Sequence, residues 1–429
     1  MDVSNEVISP ERLYGLWEQH NWSANSIDFT PDAGHWRERF DDRQRESVLW
    51  ISSMFLVGEE AVARTLTPVM DASPELSDQI FLATQIVDEA RHHVFFDRFL
   101  REVASVGSDT TTTLRKAESH LTWGFRQVFG ELDRVTDELR RKPRDRALLA
   151  QTVSLYHLVV EGLLAVPGQH FLRESMKRMD VMPGFRQGVQ HVANDESRHV
   201  AYGVLLLGRL VRSSPECRAA AIEMWDRVLG WAAGVFAPPG MDEAYPRALG
   251  FGVPEVFAFG MRSFETKVRR AGIDPSDIPM LSRLESDLSY EERATRAWEL
   301  VRCGVIGTDA EPSPTPEVLR MIFEIMADEA QPDVLRRIGG TVEWRFSDGP
   351  AWHVRANDGH VEAVDAPADS PALVIRTTVP EWTKVAVQRT DPLRSVVGGR
   401  MRIDGPLSAK LKLSKLFGRP LVGAGRRKR

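Results

Sequence analysis

Apolar positions recur at helical spacing over four long stretches in the first half of the chain: Val48 to Thr67, Leu76 to Val103, Arg146 to Ser175 and Phe185 to Val211. Residues three and four apart share a helix face, so each stretch presents an apolar stripe that can pack into a bundle. Turn signals separate the members of each pair, Asp71-Ala72-Ser73-Pro74 in the first and Met182-Pro183-Gly184 in the second. The central connection, roughly Gly107 to Pro143, carries a helical pattern of its own around Leu121 to Leu139. More helices follow Trp231, with breaks at Pro238-Pro239-Gly240 and Gly250 to Pro254.

The pattern then changes. Gly307 to Pro316, rich in proline, glycine and small polar residues, reads as an interdomain linker. One amphipathic helix, Glu317 to Glu329, precedes a switch to period two. Thr341 to Phe346 alternates, Ser347-Asp348-Gly349 turns, and Trp352 to Arg355 alternates again, as a hairpin does. Leu373 to Thr377 reads as another strand, and helices recur at Pro380 to Gln388 and near Leu407 to Leu416. The expected division is a helical domain at 1–306, a linker at 307–316 and a small α+β domain at 317–429.

Composition narrows the partners. With 27% charged and 42% hydrophobic residues and a net charge of −6, the chain has the make-up of a globular protein with no global pull toward nucleic acid. The basic end, Arg426-Arg427-Lys428-Arg429, reads as a solvated tail. Two cysteines, Cys217 and Cys303, are too few for a disulfide framework or a thiolate metal site. The start, Met1 to Leu13, lacks the basic-then-apolar order of a signal peptide. No run approaches the roughly 18 apolar residues of a spanning helix. A cytoplasmic location is therefore expected, with no nucleic-acid partner and no transmembrane segment.

One short pattern occurs twice inside the helical half: Asp88-Glu89-Ala90-Arg91-His92 and Asp195-Glu196-Ser197-Arg198-His199. No other internal repeat stands out. On a helix, Glu-x-x-His turns a carboxylate and an imidazole the same way. Each copy has a possible partner upstream in an apolar helix, Glu59 (or its neighbour Glu60) and Glu161, and a buried carboxylate is costly unless something satisfies it. One glutamate from each of two helices plus Glu-x-x-His from each of two more describes a ferritin-like dinuclear carboxylate site in a four-helix bundle. The six ligands would be Glu59, Glu89, His92, Glu161, Glu196 and His199. Their four carboxylates balance two divalent cations, and oxygen plus imidazole donors without thiolate suit iron or manganese. Asp88 and Asp195 are candidates to hydrogen-bond a ligand histidine of the opposite motif.

The segments Gly58-Glu59-Glu60-Ala61-Val62 and Tyr156-His157-Leu158-Val159-Val160-Glu161-Gly162 make the helical half, over roughly Val48 to Arg212, similar to the ribonucleotide-reductase small-subunit superfamily. More closely it resembles the ligand-binding oxidases of that superfamily, which hold a manganese–iron centre beside a long-chain fatty acid. The resemblance selects Glu59 over Glu60. It also implies an ether crosslink between a valine and a tyrosine, with Val62 and Tyr156 at the matching positions. Val62 lies three residues after Glu59, within reach of the metals. Tyr156, five residues before Glu161, would point about 140° away on a regular α-helix, so the resemblance alone selects it.

Departures separate relatives. Radical-generating reductase subunits carry a tyrosine four residues after the first motif histidine, where this chain has Phe96. Arylamine N-oxygenases share the repeats but add a histidine four residues before the second motif glutamate, where this chain has Val192; His191 lies one residue off. The second domain resembles the sterol-carrier-protein-like lipid-binding domain through Trp352-His353-Val354, Asp391-Pro392-Leu393 and Gly398 to Gly405. His353 and His360 lack acids at ligand spacing.

The expected fold is thus mainly α, a ferritin-like four-helix core with extra helices followed by a small α+β sterol-carrier-like domain. The expected activity is an O2-activating oxidase with two metal ions, Mn/Fe or Fe/Fe, acting on or binding a fatty-acid-like ligand, and a homodimer is expected. The alternatives are an arylamine N-oxygenase and a lipid-binding protein whose metal site oxidises only itself.

Overall fold

The structure is a computed structural model that describes residues 8–413, apart from 283, 286 and 388, together with residue 416. The basic end at 426–429 lies outside the described residues. By internal packing the chain divides into two units, Met1–Trp298 and Glu299–Arg429.

Four long helices form the core of the first unit: α1 (Asp42–Thr65), α2 (Leu76–Arg98), α3 (Arg146–Arg178) and α4 (Pro183–Ser213). They are the four periodic stretches. Asp41 starts α1 through a capping box with Gln44, which satisfies backbone donors that a helix start leaves free. Two glycines let α4 approach its neighbours. A Cβ at Gly188 would stand 2.0 Å from the Phe95 ring of α2, and one at Gly203 2.1 Å from His157 of α3. The helices Trp123–Arg141, Pro215–Ala232 and Val253–Arg270 pack around this core. The N-terminal helix Pro10–Gln19 lies against α2, an element that periodicity left unassigned.

α3 corrects two sequence expectations. First, its apolar content does reach spanning length: it is the one helix among the described residues long and apolar enough, by length and composition, to cross a membrane. Because 78% of that apolar window is buried inside the unit, the composition follows from its place at the centre of the bundle. Second, α3 is not a regular α-helix. Ser154–Ala165 forms a π-helix, in which hydrogen bonds join residues five apart.

The second unit holds a five-stranded sheet in the order β3-β2-β1-β4-β5. β1 (Thr341–Phe346) and β2 (Trp352–Asn357) form the expected hairpin; β3 (His360–Val364) extends it, β4 (Leu373–Thr377) runs parallel to β1, and β5 (Arg402–Asp404) closes the far edge. Phe323 of the helix Pro316–Glu329 stacks on Trp352 at 4.7 Å, while Trp344 and Trp382 meet at 5.0 Å. The helix Pro332–Ile338, too short to show a period, was not anticipated.

Candidate metal centre

α2 supplies Glu89 and His92, α4 supplies Glu196 and His199, α1 supplies Glu59 and α3 supplies Glu161. None of the six is more than 5% exposed. Glu60, the alternative to Glu59, points outward and sits 3.8 Å from Arg64.

The six fall into two overlapping groups. Ligand atoms of Glu59, Glu89, His92 and Glu196 lie within 4.8 Å of one another, as do those of Glu89, Glu161 and His199. His92 Nδ1 is 3.6 Å from Glu59, 3.4 Å from Glu89 Oε2 and 3.7 Å from Glu196 Oε1. His199 Nδ1 is 3.3 Å from Glu89 Oε1, 3.7 Å from Glu161 and 3.7 Å from Glu196 Oε2. Glu89 and Glu196 thus turn one oxygen toward each imidazole, whereas Glu59 and Glu161 each serve one side.

Both Nδ1 atoms and one oxygen each of Glu89, Glu161 and Glu196 are buried without a hydrogen-bond partner. Buried polar atoms are almost always satisfied, so five orphans facing one another need a common explanation. Two divalent cations supply it: they would accept all the converging donors and neutralise four carboxylates.

Around this cluster the two aspartates cross over. Asp195 accepts from His92 Nε2 at 3.1 Å and Asp88 from His199 Nε2 at 3.1 Å, so each motif orients the histidine of the other. A hydrogen bond at Nε2 leaves Nδ1 free to face a metal. Arg198 ties the aspartates together, 2.5 Å from Asp195 and 3.2 Å from Asp88, and Arg91 reaches Asp88 at 2.9 Å. Two tryptophans complete the brace: Trp17 donates to Asp88 and Trp22 to Asp195, each at 2.8 Å. Sequence reasoning missed them because they come from the N-terminal segment, far from any motif.

It also missed Gln85, one helical turn before Glu89. Its amide donates to Glu161 at 2.7 Å, while its carbonyl meets His157 Nε2 at 3.3 Å. The i, i+4 spacing on an apolar helix was the available signal. Tyr156 donates to Glu89 Oε1 at 3.1 Å. The expectation that Tyr156 points away from Glu161 fails because five residues make about one turn of a π-helix rather than about 1.4 turns of an α-helix.

An apolar cavity reaches the cluster. Glu59, Glu89, Glu161 and Glu196 are its acids, and Met54, Phe55, Val62, Phe129, Leu164 and Phe236 are among its apolar walls. Val62 lines this cavity, and Tyr156 donates to Glu89, one of its acids. Phe96 is fully buried and stacks on Phe55 at 5.0 Å. Val192 is buried, and His191 stacks on Trp22 at 4.9 Å, the indole that also stacks on His92 at 6.5 Å.

The sequence profile of the ribonucleotide reductase small chain matches residues 11–228. The chain belongs to that family. The profile of the SCP-2 sterol transfer family matches residues 320–418, so a small-chain domain is fused here to a sterol-carrier-like one. Among solved structures, the R2-like ligand-binding oxidase from Sulfolobus acidocaldarius is 27% identical, with a TM-score of 0.50 over 63% of this chain and 93% of its own. A variant R2-like ligand-binding oxidase with an anaerobically reconstituted Mn/Fe cofactor shares the fold at 20% identity, TM-score 0.54, over 62% of this chain and 94% of its own. Another, reconstituted aerobically, does so at 21% identity and TM-score 0.53, with the same coverage of both chains. Family and clusters together support a dinuclear-metal oxidoreductase.

The electrostatics of the metal-free site set a test. Burial pushes Glu59 and Glu161 well above the usual carboxylate range and raises Glu196 as well. For Glu89 burial acts the same way, but His199 and His92 overcome it and hold the group at about 2. His199 is opposed by burial, yet Asp88 and Glu196 bring it up to about 10. Loading metal must therefore expel protons from acids that hold them tightly. Metal affinity is expected to rise with pH, and loss on acidification to begin at a higher pH than for ordinary surface carboxylates. Chelator competition across a pH series measures this; an affinity independent of pH would contradict it.

Proposed function

We propose that this protein is an O2-activating oxidase with two metal ions, Mn/Fe or Fe/Fe, that acts on or holds a long fatty-acid-like chain. The observation that carries the proposal is an apolar cavity whose lining includes four of the candidate metal ligands. Bound in the reduced state, the metals would supply the redox chemistry that activates O2 for attack on an unactivated C–H bond.

The chain's own residues do the rest. Glu89 and Glu196, each with an oxygen toward both imidazoles, would help hold both metals and take up changes in charge. Asp88 and Asp195 fix the two imidazoles through Nε2 and keep them from rotating away. Tyr156 donates to Glu89 and biases which of its oxygens carries more charge. The aromatic and aliphatic walls keep bulk water from the cluster and give an acyl chain apolar surface to bury. The sterol-carrier-like unit, tethered on the same chain, would present or receive the lipid at raised effective concentration.

A substitution that fills the cavity separates ligand from metal. A Cβ at Gly58 meets only the Phe129 ring, at 3.5 Å, so the backbone tolerates a side chain whose remaining atoms enter the cavity. Gly58→Leu is expected to keep both metals and to lose lipid from the helical unit, read by mass spectrometry of extracts against metal content. Lipid that remains in this variant belongs to the sterol-carrier-like unit. Its affinity there should climb about fourfold per added methylene until the site is full, since each contributes about 0.8 kcal/mol. Titration with fatty acids of increasing length tests this, and length-independent binding would overturn a lipid role for that unit.

A further inference from the structure

The π-helical stretch of α3 depends on a hydrogen bond that the helix itself cannot make. At its C-terminal end the Val166 N–H donates to the Glu161 carbonyl, five residues back. In the same register the Gly162 carbonyl would receive the N–H of residue 167, but that residue is Pro167, which has none. The carbonyl next to a candidate metal ligand is left without a helical donor. In an α register the Val166 N–H would serve Gly162, and the carbonyl of Leu163 would be the orphan instead.

The neighbouring helix Val253–Arg270 meets the orphan of the π register. Lys267 Nζ donates to the Gly162 carbonyl at 2.9 Å, and Ser263 Oγ donates to it at 3.3 Å. Lys267 also hydrogen-bonds the Ser263 hydroxyl, so the two form one unit. Among the described residues no carboxylate lies within ion-pairing distance of Lys267, although the charge of Glu161 acts on it; its hydrogen bonds go to this carbonyl and this hydroxyl. Gly162 makes the approach possible, because a Cβ there would stand 3.1 Å from Lys267 Cδ.

We propose that Lys267, with Ser263, is a register clamp: a positioning residue that holds α3 in its π form and thereby turns both Glu161 and Tyr156 toward the metal cluster. The proposal rests on the two-metal reading above for its consequence, though not for the clamp itself. Slipping to the α register would strand the Lys267 donor against an already satisfied carbonyl. It would also rotate Tyr156 relative to Glu161, separating the contact to Glu89 from the contact to His199. The cost falls on one side of the site, since Glu161 belongs with Glu89 and His199 and not with Glu59 and His92.

The test uses the full-length chain with Lys267→Met, Lys267→Gln and Lys267→Arg. Lys267→Met keeps an unbranched apolar stem and removes the donor; Lys267→Gln keeps a shorter neutral donor and serves where the methionine variant does not fold. The readouts are metal content after saturating loading and amide hydrogen exchange across residues 158–166 of the metal-free protein. The clamp predicts metal content falling from two equivalents toward one in the methionine variant. It predicts exchange faster by roughly tenfold or more, the loss expected for a hydrogen bond from a charged donor. It also predicts recovery of both readouts in Lys267→Arg, which packing loss alone would not give. Unchanged exchange in both neutral variants overturns the clamp, whatever the metal content. Wild-type protein that binds no metal would instead overturn the two-metal reading, and the exchange data would still decide the clamp.

Discussion

Glu89→Ala is expected to empty both metal positions at once. Glu89 places one oxygen 3.4 Å from His92 Nδ1 and the other 3.3 Å from His199 Nδ1, so its removal strips a ligand from each side. It also leaves three ligand carboxylates to balance two divalent cations, since Asp88 and Asp195 are already paired with Arg91 and Arg198. The paired change Glu59→Ala should behave differently, because Glu59 approaches the His92 imidazole, whereas Glu196, like Glu89, turns an oxygen toward each imidazole. Elemental analysis after saturating loading should give close to zero equivalents for Glu89→Ala and about one for Glu59→Ala. Glu196→Ala should follow Glu89→Ala. Equal, partial losses across all three variants would show that the carboxylates are not divided into shared and one-sided ligands.

Asp195→Ala is expected to cost both stability and metal. Asp195 accepts from His92 Nε2, Trp22 Nε1 and Arg198 while 1% exposed. Its removal leaves the buried Arg198 guanidinium with Asp88 as its one close acidic partner among the described residues, and breaking a buried ion pair from one side typically costs about 3–5 kcal/mol. It also frees the His92 ring to rotate, and loss of such an outer hydrogen bond lowers metal affinity by about 10–100-fold. The melting temperature of the metal-free protein should fall by several degrees or more, and chelator competition should show the weaker binding. Asp195→Asn, which can still accept at one oxygen, should recover part of each. A metal-free protein as stable as wild type would mean that the crossed brace is not a structural element.

The four core helices were legible because each carries a long apolar period, and Glu-x-x-His was legible because it occurs twice. The geometry that makes those residues a cluster was not fully legible. Trp17 and Trp22 reach the aspartates from a short N-terminal segment with no motif, and only the tertiary structure brings them 2.8 Å from Asp88 and Asp195. Tyr156 was misread for a local reason: 3.6 residues per turn was assumed where the chain uses a π-helix. Pro167, five residues beyond Gly162, was the available sequence hint, but a proline in a helical pattern ordinarily signals a kink rather than a change of register. In the second unit the alternating hairpin was clear from period two. The three-residue β5 and the helix Pro332–Ile338 were too short to show any period.

The proposed function requires that one chain hold two metals between α1, α2, α3 and α4. Full-length protein should be loaded anaerobically with iron(II), alone and with manganese(II), desalted, and assayed for metal and protein in the same sample. Two equivalents per chain are expected in both preparations, iron plus manganese or iron alone. Less than one equivalent in carefully loaded wild-type protein would contradict it.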